Sequence, residues 1–192
     1  MELVFASNNQ HKVDEIQAIV GSKFLLKSLT DISCFEEIPE TGNTFEANAR
    51  QKSRFIYDKY HFHCFGDDSG LEIATLNGEP GVDSAHYSGS RDFIENMKLV
   101  LSNLGDNPDR RARFRTVISL IMDGKEYLFE GSIEGRITKT VSGTKGFGYD
   151  PIFIPNGYEI TFAEMDAAEK NRISHRAIAV KKMLEFLNCC NR

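Results

Sequence analysis

The chain has 192 residues, of which 41% are apolar and 27% charged, and its formal net charge is −5 at pH 7. This length suffices for one domain with a substantial core. The negative charge argues against a nucleic-acid partner bound by phosphate neutralisation, and no apolar run reaches the ~20 residues that cross a bilayer. The four cysteines form no CxxC pair, and the N-terminal segment does not resemble a secretory signal, so we expect a cytoplasmic protein.

The first part of the chain predicts one strand and two helices. Residues 3–6 form a short apolar run, and apolar residues at helical spacing predict a helix over 13–21. Asn43 and Glu46 predict a capping box for a second helix over 44–60. A strand followed by a helix is the first half of an α/β unit.

The remaining segments predict a further mixture of strands and helices. Asp92 predicts the start of a helix that ends near residue 104. Asp123-Gly124 predicts a hairpin, and Ser174 predicts the cap of a final helix. Other predicted elements are strands on either side of an acidic turn at 67–70, at 62–65 and 71–76, and strands over 114–122, 126–129 and 133–140. We therefore predict one mixed α/β domain over residues 1–192.

Two adjacent carboxylates, Asp67 and Asp68, are followed by Ser69 and a glycine. Like charges this close resist joint ionisation, and a bound divalent cation removes the difficulty. For these four residues alone, a solvent-exposed turn is the favoured interpretation, because Asp, Ser and Gly are common in turns. The hypothesis of a metal and general-base site therefore depends on the other segments.

A polar segment between the first strand and the first helix contains Ser7, Asn8, Asn9, Gln10, His11 and Lys12. Helix N-termini present unpaired N–H groups and bind anions, so the segment fits a phosphate site. An ordinary asparagine cap beside an exposed lysine fits it equally well. The Walker pattern is absent, which excludes a P-loop NTPase.

The second helix carries two further candidates. Glu40 precedes this helix in a loop and can reach a metal ion, whereas Glu46 is better explained as a cap. Asn48 and Lys52 are four residues apart and share one helix face. The position of Lys52 beside the apolar face suggests an anionic partner, and a surface lysine with a buried stem is the alternative.

The last third of the chain contains a possible base-binding loop and a cationic helix start. Gly146 and Gly148 bracket Phe147, so a flat ligand can approach the backbone and stack on an aromatic ring, although a structural turn with one buried aromatic is the alternative. His175 and Arg176 lie in the first turn of the final helix, where the helix dipole disfavours cations. An anionic or carbonyl-bearing ligand would offset that penalty.

Taken together, these segments resemble the non-standard purine nucleoside triphosphate pyrophosphatases, the inosine/xanthosine triphosphate pyrophosphatase family. The resemblance covers essentially the whole chain, through segments 7–12, 40–45, 67–71 with 80–82, 146–151, and 169–171 with 174–176. Relatives often have Thr-Gly-Asn where this chain has Ser7-Asn8-Asn9, and asparagine tolerates the left-handed dihedrals that the lost glycine provides. They commonly have Ala-Arg-Tyr where this chain has Ala85-His86-Tyr87.

The resemblance implies an elongated mixed β-sheet flanked by helices, with two lobes and a central substrate cleft. It also implies Mg²⁺-dependent hydrolysis of a purine nucleoside triphosphate to the monophosphate and pyrophosphate, by a cytoplasmic homodimer. Asp68 would be the general base and a metal ligand, and Glu40 a second metal ligand. The implied phosphate-binding residues are Ser7, Asn8, Asn9, Gln10, His11, Lys12, Lys52 and Ser69. The implied base-binding residues are Phe147, Gly148, Tyr149, Asp150, Lys170, His175 and Arg176.

Donors from Lys170, His175 or Arg176 would pair with the C6 carbonyl of hypoxanthine or xanthine. The same donors would oppose the C6 amino group of adenine, and such a mismatch costs on the order of a hundredfold or more in a desolvated site. We therefore predict a house-cleaning hydrolase for ITP, dITP and XTP. A pyrophosphatase for another nucleotide and a catalytically silent nucleotide sensor are the alternatives, and an assay that resolves the products distinguishes them.

Overall fold

A computed structural model describes residues 1–21 and 24–190, so four residues of the predicted 1–192 domain lie outside it. The strands are β1 (Glu2–Phe5), β2 (Leu25–Lys27), β3 (Cys64–Ile73), β4 (Arg111–Met122), β5 (Lys125–Ile137) and β6 (Phe153–Pro155). The helices are α1 (Gln10–Val20), α2 (Phe45–Tyr60), α3 (Phe93–Leu104), α4 (Ala167–Ile173) and α5 (His175–Cys190). The remaining helical segments are short 3₁₀ turns.

The six strands form one sheet in the order β2-β1-β3-β4-β5-β6. β1 pairs in parallel with both β2 and β3, whereas β5 and β6 are antiparallel. Asp123 and Gly124 join β4 to β5, and both have positive φ, as a tight hairpin turn requires. The predicted mixed α/β fold and the predicted hairpin are therefore confirmed.

The acidic tetrapeptide is not a turn. Asp67, Asp68, Ser69 and Gly70 lie inside the ten-residue strand β3, so the predicted turn between two strands is wrong. The two strands predicted over 126–129 and 133–140 are likewise replaced by the single strand β5. Turn-forming residues were misleading here because tertiary pairing overrides weak local preferences.

Of the predicted helix caps, the structure confirms Asp92 and corrects Asn43. Asp92 accepts from the N–H groups of Ile94 and Glu95 and caps α3 as predicted. Ser174 directly precedes α5 and is the C-cap of α4, and its predicted role as the N-cap of α5 stays a prediction. The cap of α2 is Thr44, whose side chain accepts from the N–H of Ala47, and not the predicted Asn43. The sequence did not predict α4, β2 or β6, because elements of three to seven residues carry little periodicity.

The chain forms two compact units. The first unit comprises residues 1–68, 116–131 and 176–192, and the second comprises residues 69–115 and 132–175. One boundary falls within β3, between Asp68 and Ser69, and another falls between His175 and Arg176 at the start of α5.

The core of the first unit lies on both faces of its strands. Leu3 and Phe5 pack with buried residues of α1 and α5, whereas Val4 and Ala6 belong to a second cluster that includes Ile56 of α2. This division follows from the alternation of side chains along a strand. The faces of β1 and β3 therefore present alternate residues to α1 and α5 on one side and to α2 on the other.

The second unit has a separate core. Apolar residues of α3, including Met97, Val100 and Leu104, belong to the same cluster as Phe114, Phe153 and other residues of this unit. The rings of Phe114 and Phe153 are tilted at 60°, with centroids 4.6 Å apart. The same core includes Tyr149 and Ile152 from the segment that precedes β6.

Candidate active site

The polar segment before α1 is a structured helix start. Asn9 is the N-cap of α1, and its Oδ1 accepts from the backbone N–H of Lys12 at 3.3 Å. The N–H of Asn9 in turn donates to Ser7 Oγ at 3.2 Å. Asn8, Gln10 and His11 are exposed, and α1 has no acidic residue in its first turn. The start of α1 therefore keeps the positive end of its dipole uncompensated by its own side chains.

Asp67 lies at the centre of a buried ion cluster in the first unit. Its two carboxylate oxygens are both 3.0 Å from Lys12 Nζ, and Oδ2 is 3.6 Å from Arg176 Nε. Arg176 also pairs with Glu15 of α1. Burial alone raises the pKa of the Asp67 carboxyl, but Lys12, Arg176 and Lys52 together hold that pKa well below its usual value. Asp67 is therefore a permanent carboxylate that fixes Lys12 and Arg176.

Lys12 lies in a strongly electropositive environment. Burial lowers the pKa of its ammonium, Asp67 raises it, and the nearby cations Lys52 and Arg176 lower it again. A buried cation beside other cations is stabilised by an incoming anion. Lys12, Lys52 and Arg176 thus form a site in which a bound polyphosphate would reduce the repulsion between the cations.

Asp68 points away from Asp67. Successive residues of a strand face opposite sides, so Asp68 faces α2, where its Oδ2 accepts from Asn48 Nδ2 at 2.9 Å. Burial raises the pKa of the Asp68 carboxyl, while Lys52, Lys12 and the Asn48 hydrogen bond oppose the rise. Strand alternation therefore divides two adjacent carboxylates into a locked anion and a carboxylate with a raised pKa.

The predicted shared face of α2 is confirmed. Asn48 and Lys52 are both buried, and Asn48 Oδ1 also accepts from the N–H of Gly42 at 2.7 Å. Lys52 Nζ is 3.2 Å from Glu40 Oε1, and the Glu40 side chain is 46% exposed. Lys52 is therefore a buried cation and not a surface lysine with a buried stem.

Asp68 and Glu40 offer two carboxylates, which suits the open coordination of a magnesium ion better than a metal site closed by protein ligands alone. Within residues 1–21 and 24–190, no three His, Cys, Asp or Glu side chains cluster as a set of metal ligands. Mg²⁺ typically binds to one or two carboxylates and takes its remaining ligands from water and substrate phosphates. Two carboxylates of the first unit are enough for that kind of site, whereas a structural zinc site needs four protein ligands.

The second unit holds the predicted base loop in a network of buried charges. Lys170 Nζ lies 2.5 Å from Asp150 Oδ2, and both side chains are buried. The same oxygen accepts from the N–H of Phe147 at 2.9 Å. Gly146 has φ +73°, and a Cβ on it would lie 2.1 Å from Asp150 Oδ2. Glycine at this position is required both by the backbone conformation and by the carboxylate beside it.

Aromatic residues surround this network. Lys170 Nζ lies 5.1 Å from the ring centroid of Phe147, in the range of a cation–π contact. The buried Tyr149 donates its hydroxyl to the carbonyl oxygen of Ser84 at 2.9 Å. The His175 ring stacks on Phe114 with centroids 4.8 Å apart and planes 12° apart. The second unit therefore has donors and aromatic rings suited to a flat heterocycle.

The predicted site residues fall into two sets. The first unit brings together Lys12, Lys52, Asp67, Asp68 and Arg176, and the second unit holds Phe147, Asp150 and Lys170 together, with Ser69 half-buried in β3. The helix dipole disfavours a cation at the start of α5, and the carboxylates of Asp67 and Glu15 offset this penalty for Arg176.

Sequence reasoning missed three contacts at these sites. They are Glu15 with Arg176, Phe114 with His175 and Phe93 with Phe147. Glu15 follows Lys12 by three residues, and a charged pair at this spacing is the ordinary pattern of a solvated helix surface. Phe114 fits a core strand, and Phe93 fits a helix start. No local signal distinguishes them, because their partners are distant in the sequence.

Known proteins are similar to this chain over nearly its whole length. Residues 3–186 match the Ham1 family. The chain belongs to the Ham1 family. It is 48% identical to the dITP/XTP pyrophosphatase of Flavobacterium johnsoniae, with 97% of this chain and 98% of that protein covered. It is 42% identical to the dITP/XTP pyrophosphatase of Bacillus licheniformis, over 97% and 98% of the two chains.

Solved structures of Ham1 proteins have the same fold. The Ham1 protein of Staphylococcus aureus is 37% identical, covers 98% of each chain and has a TM-score of 0.89. The Ham1 protein of Coxiella burnetii is also 37% identical over 98% of each chain, with a TM-score of 0.90. The predicted family is therefore confirmed, and with it the assignment of this Ham1 chain to the nucleoside triphosphate pyrophosphatase enzymes. No helix in the described ranges has the length and apolar character needed to span a bilayer.

Proposed function

We propose that this Ham1 enzyme hydrolyses the non-standard purine nucleoside triphosphates ITP, dITP and XTP to monophosphates and pyrophosphate, with Mg²⁺ as cofactor. The observation that carries the proposal is the division of the carboxylate pair in β3. Asp67 is locked among cations, whereas Asp68, with a raised pKa, faces Asn48 and Lys52. The name of the relatives, dITP/XTP pyrophosphatase, supports the substrate class.

Asp68 is the proposed general base. A water molecule attacks the α-phosphorus, a new P–O bond forms, and the bond from that phosphorus to the bridging oxygen of pyrophosphate breaks. Asp68 accepts the proton of the attacking water, and its raised pKa suits a carboxylate that must hold a proton during the reaction. The Asn48 hydrogen bond fixes the orientation of the carboxylate.

The basic residues of the first unit are proposed to bind the phosphates. Lys12 and Lys52 neutralise negative charge that develops on the departing pyrophosphate, and the start of α1 offers backbone N–H groups. The remaining proposed phosphate contacts are Ser7, Asn8, Asn9, Gln10, His11 and Ser69. Glu40 and Asp68 would hold Mg²⁺, which when bound supplies charge neutralisation to the phosphate oxygens.

Selection of the base is proposed to depend on donors in the second unit. Asp150 fixes the direction of the Lys170 ammonium, which can only donate hydrogen bonds. A donor pairs with the C6 carbonyl of hypoxanthine or xanthine and opposes the C6 amino group of adenine. Phe147 is the proposed stacking residue, with Gly148 and Tyr149 lining the pocket and His175 and Arg176 as further polar contacts.

An assay that resolves the products tests this function. Purified protein with Mg²⁺ should convert ITP, dITP and XTP to monophosphate and pyrophosphate, and ATP much more slowly. Asp68→Asn should lower kcat roughly 10²–10⁴-fold, whereas the exposed control Glu185→Gln should leave it unchanged. Release of inorganic phosphate and IDP would refute the pyrophosphatase assignment, equal rates with ATP would refute the selectivity, and tight binding without turnover would establish a sensor.

The family resemblance also supports two proposals about the enzyme in the cell. We expect a homodimer in the cytoplasm. Light scattering after gel filtration tests the first expectation, and a mass equal to one chain at micromolar concentration would contradict it. Cell fractionation tests the second expectation.

A further inference from the structure

Phe93, a residue with no proposed role in the reaction, contacts the ring of Phe147. The two ring centroids are 6.2 Å apart and the planes are tilted by 50°. Phe93 is 37% exposed, so much of its side chain is covered by protein. Aromatic pairs at this separation contribute beyond the area that they bury.

The backbone around Phe147 does not by itself fix the direction of the ring. Gly146 and Gly148 both have positive φ, at +73° and +62°, and no neighbouring atom lies within 4 Å of a Cβ built on Gly148. The hydrogen bond from Phe147 N to Asp150 holds the main chain but leaves the side-chain torsions unspecified. The orientation of the ring therefore depends on the tertiary contacts that it makes.

Phe93, in contrast, is part of a rigid element. It is the first residue of α3, where the Asp92 carboxylate accepts from the N–H of Ile94 at 2.8 Å and caps the helix. Met97 and Val100 anchor the same helix in the core of the second unit. A capped and anchored helix start can hold a ring in place, whereas a glycine-flanked loop cannot.

We propose that Phe93 is a positioning residue that holds the Phe147 ring in the orientation for stacking on the purine base. The proposal rests on the proposed function, because Phe147 is assigned there as the stacking residue. Phe93 acts through Phe147 and not through the phosphates, so its loss should weaken substrate binding without slowing the chemical step. Such a change raises KM and leaves kcat unaltered, because ground state and transition state lose the same contact.

The kinetic test uses Phe93→Ala with Ile94→Ala as the matched control. Ile94 is the next residue of the same helix start, is 58% exposed, and has no aromatic ring. Phe93→Ala should raise KM roughly three- to tenfold for ITP, dITP and XTP alike, with kcat within about twofold. The inhibition constant of tripolyphosphate, which has no base, should not change.

Two further variants of Phe93 separate loss of the ring from loss of the fold. Phe93→Tyr keeps the ring and should restore KM, whereas Phe93→Leu keeps apolar volume and should raise KM as the alanine does. An unchanged KM in Phe93→Ala, an equal rise in Ile94→Ala, or a parallel change in tripolyphosphate inhibition would overturn the proposal.

Fluorescence distinguishes failure of this inference from failure of the proposed function. The chain has no tryptophan, so Phe147→Trp places a single reporter in the base loop. IMP should quench its emission, and the midpoint of quenching should rise three- to tenfold when Phe93→Ala is added. Quenching with an unchanged midpoint refutes the role of Phe93 alone. If Phe147→Trp shows no quenching and the parent enzyme releases no pyrophosphate, the proposed function is refuted.

Discussion

Replacing Asp67 with asparagine removes the negative charge that lies between Lys12 and Arg176 while keeping the shape of the side chain. Asp67 is fully buried, and its oxygens are 3.0 Å from Lys12 Nζ and 3.6 Å from Arg176 Nε. Breaking a buried ion pair by neutralising one partner typically costs about 3–5 kcal/mol, because the remaining charge stays desolvated. Lys12 is 13% exposed and can partly recover hydration, so we expect a loss of about 3 kcal/mol.

The neighbouring Asp68→Asn is the matched control, with the opposite expectation. Burial raises the pKa of Asp68, so its charge costs folding free energy at neutral pH, and neutralising it should leave stability equal or higher. Asn48 Nδ2 can still donate to an asparagine oxygen. Urea unfolding followed by far-UV circular dichroism at pH 7 measures both changes. Equal losses in the two variants, or a loss below about 1 kcal/mol for Asp67→Asn, would refute the reasoning.

The stability changes in Asp67→Asn and Asp68→Asn should depend on pH, and the sign of each dependence follows from the shifted pKa. Asp67 has a folded pKa below its unfolded value, so its contribution is fully present above the unfolded pKa of 3.8 and is lost as the pH falls through the depressed folded pKa. Stability lost in Asp67→Asn should therefore be constant between about pH 5 and 8 and should shrink only at lower pH. Any gain in Asp68→Asn should disappear below about pH 4 because protonated aspartate is also neutral.

Two glycine substitutions test close packing at the two sites. A Cβ on Gly66 would lie 2.7 Å from Lys52 Cβ and 2.9 Å from the carbonyl oxygen of Ala49, so Gly66→Ala forces α2 away from β3. We expect it to lower the free energy of unfolding by about 1–3 kcal/mol and to reduce activity, as urea unfolding and the ITP assay will show. Gly146→Ala should displace the Asp150 carboxylate and raise KM for ITP, measured by steady-state kinetics.

Gly148→Ala is the control for Gly146→Ala in the unfolding experiment. Both glycines have positive φ, but a Cβ on Gly148 meets no atom within 4 Å. The two variants share the cost of a strained backbone, so Gly146→Ala should be the less stable by about 1–3 kcal/mol. Equal stability would show that the contact with Asp150 has no energetic consequence. For Gly66→Ala, stability and activity equal to those of the parent protein would contradict the packing argument.

Much of the secondary structure could be predicted because its signals are local. The apolar periodicity of α1, α2, α3 and α5 and the Asp92 cap of α3 are local features, and Asp123-Gly124 specifies its hairpin by conformation. The secondary structure of the acidic tetrapeptide was predicted wrongly for the same reason. Its residues prefer turns locally, but they continue the ten-residue strand β3, which lies between β1 and β4 in the sheet. Asp67 and Asp68 also have partners on opposite sides of that strand.

The sequence by itself determined the family, the α/β class and the candidate residues, because motifs in a fixed order are properties of the chain. Tertiary structure alone decided how the carboxylate pair is divided. Lys12 and Asp67 are 55 residues apart, and Glu15 and Arg176 are 161 residues apart. Contacts over such separations leave no local pattern, because they form only when α1, β3 and α5 pack together. That packing, with the alternation of side chains along β3, separates a structural anion from the proposed general base.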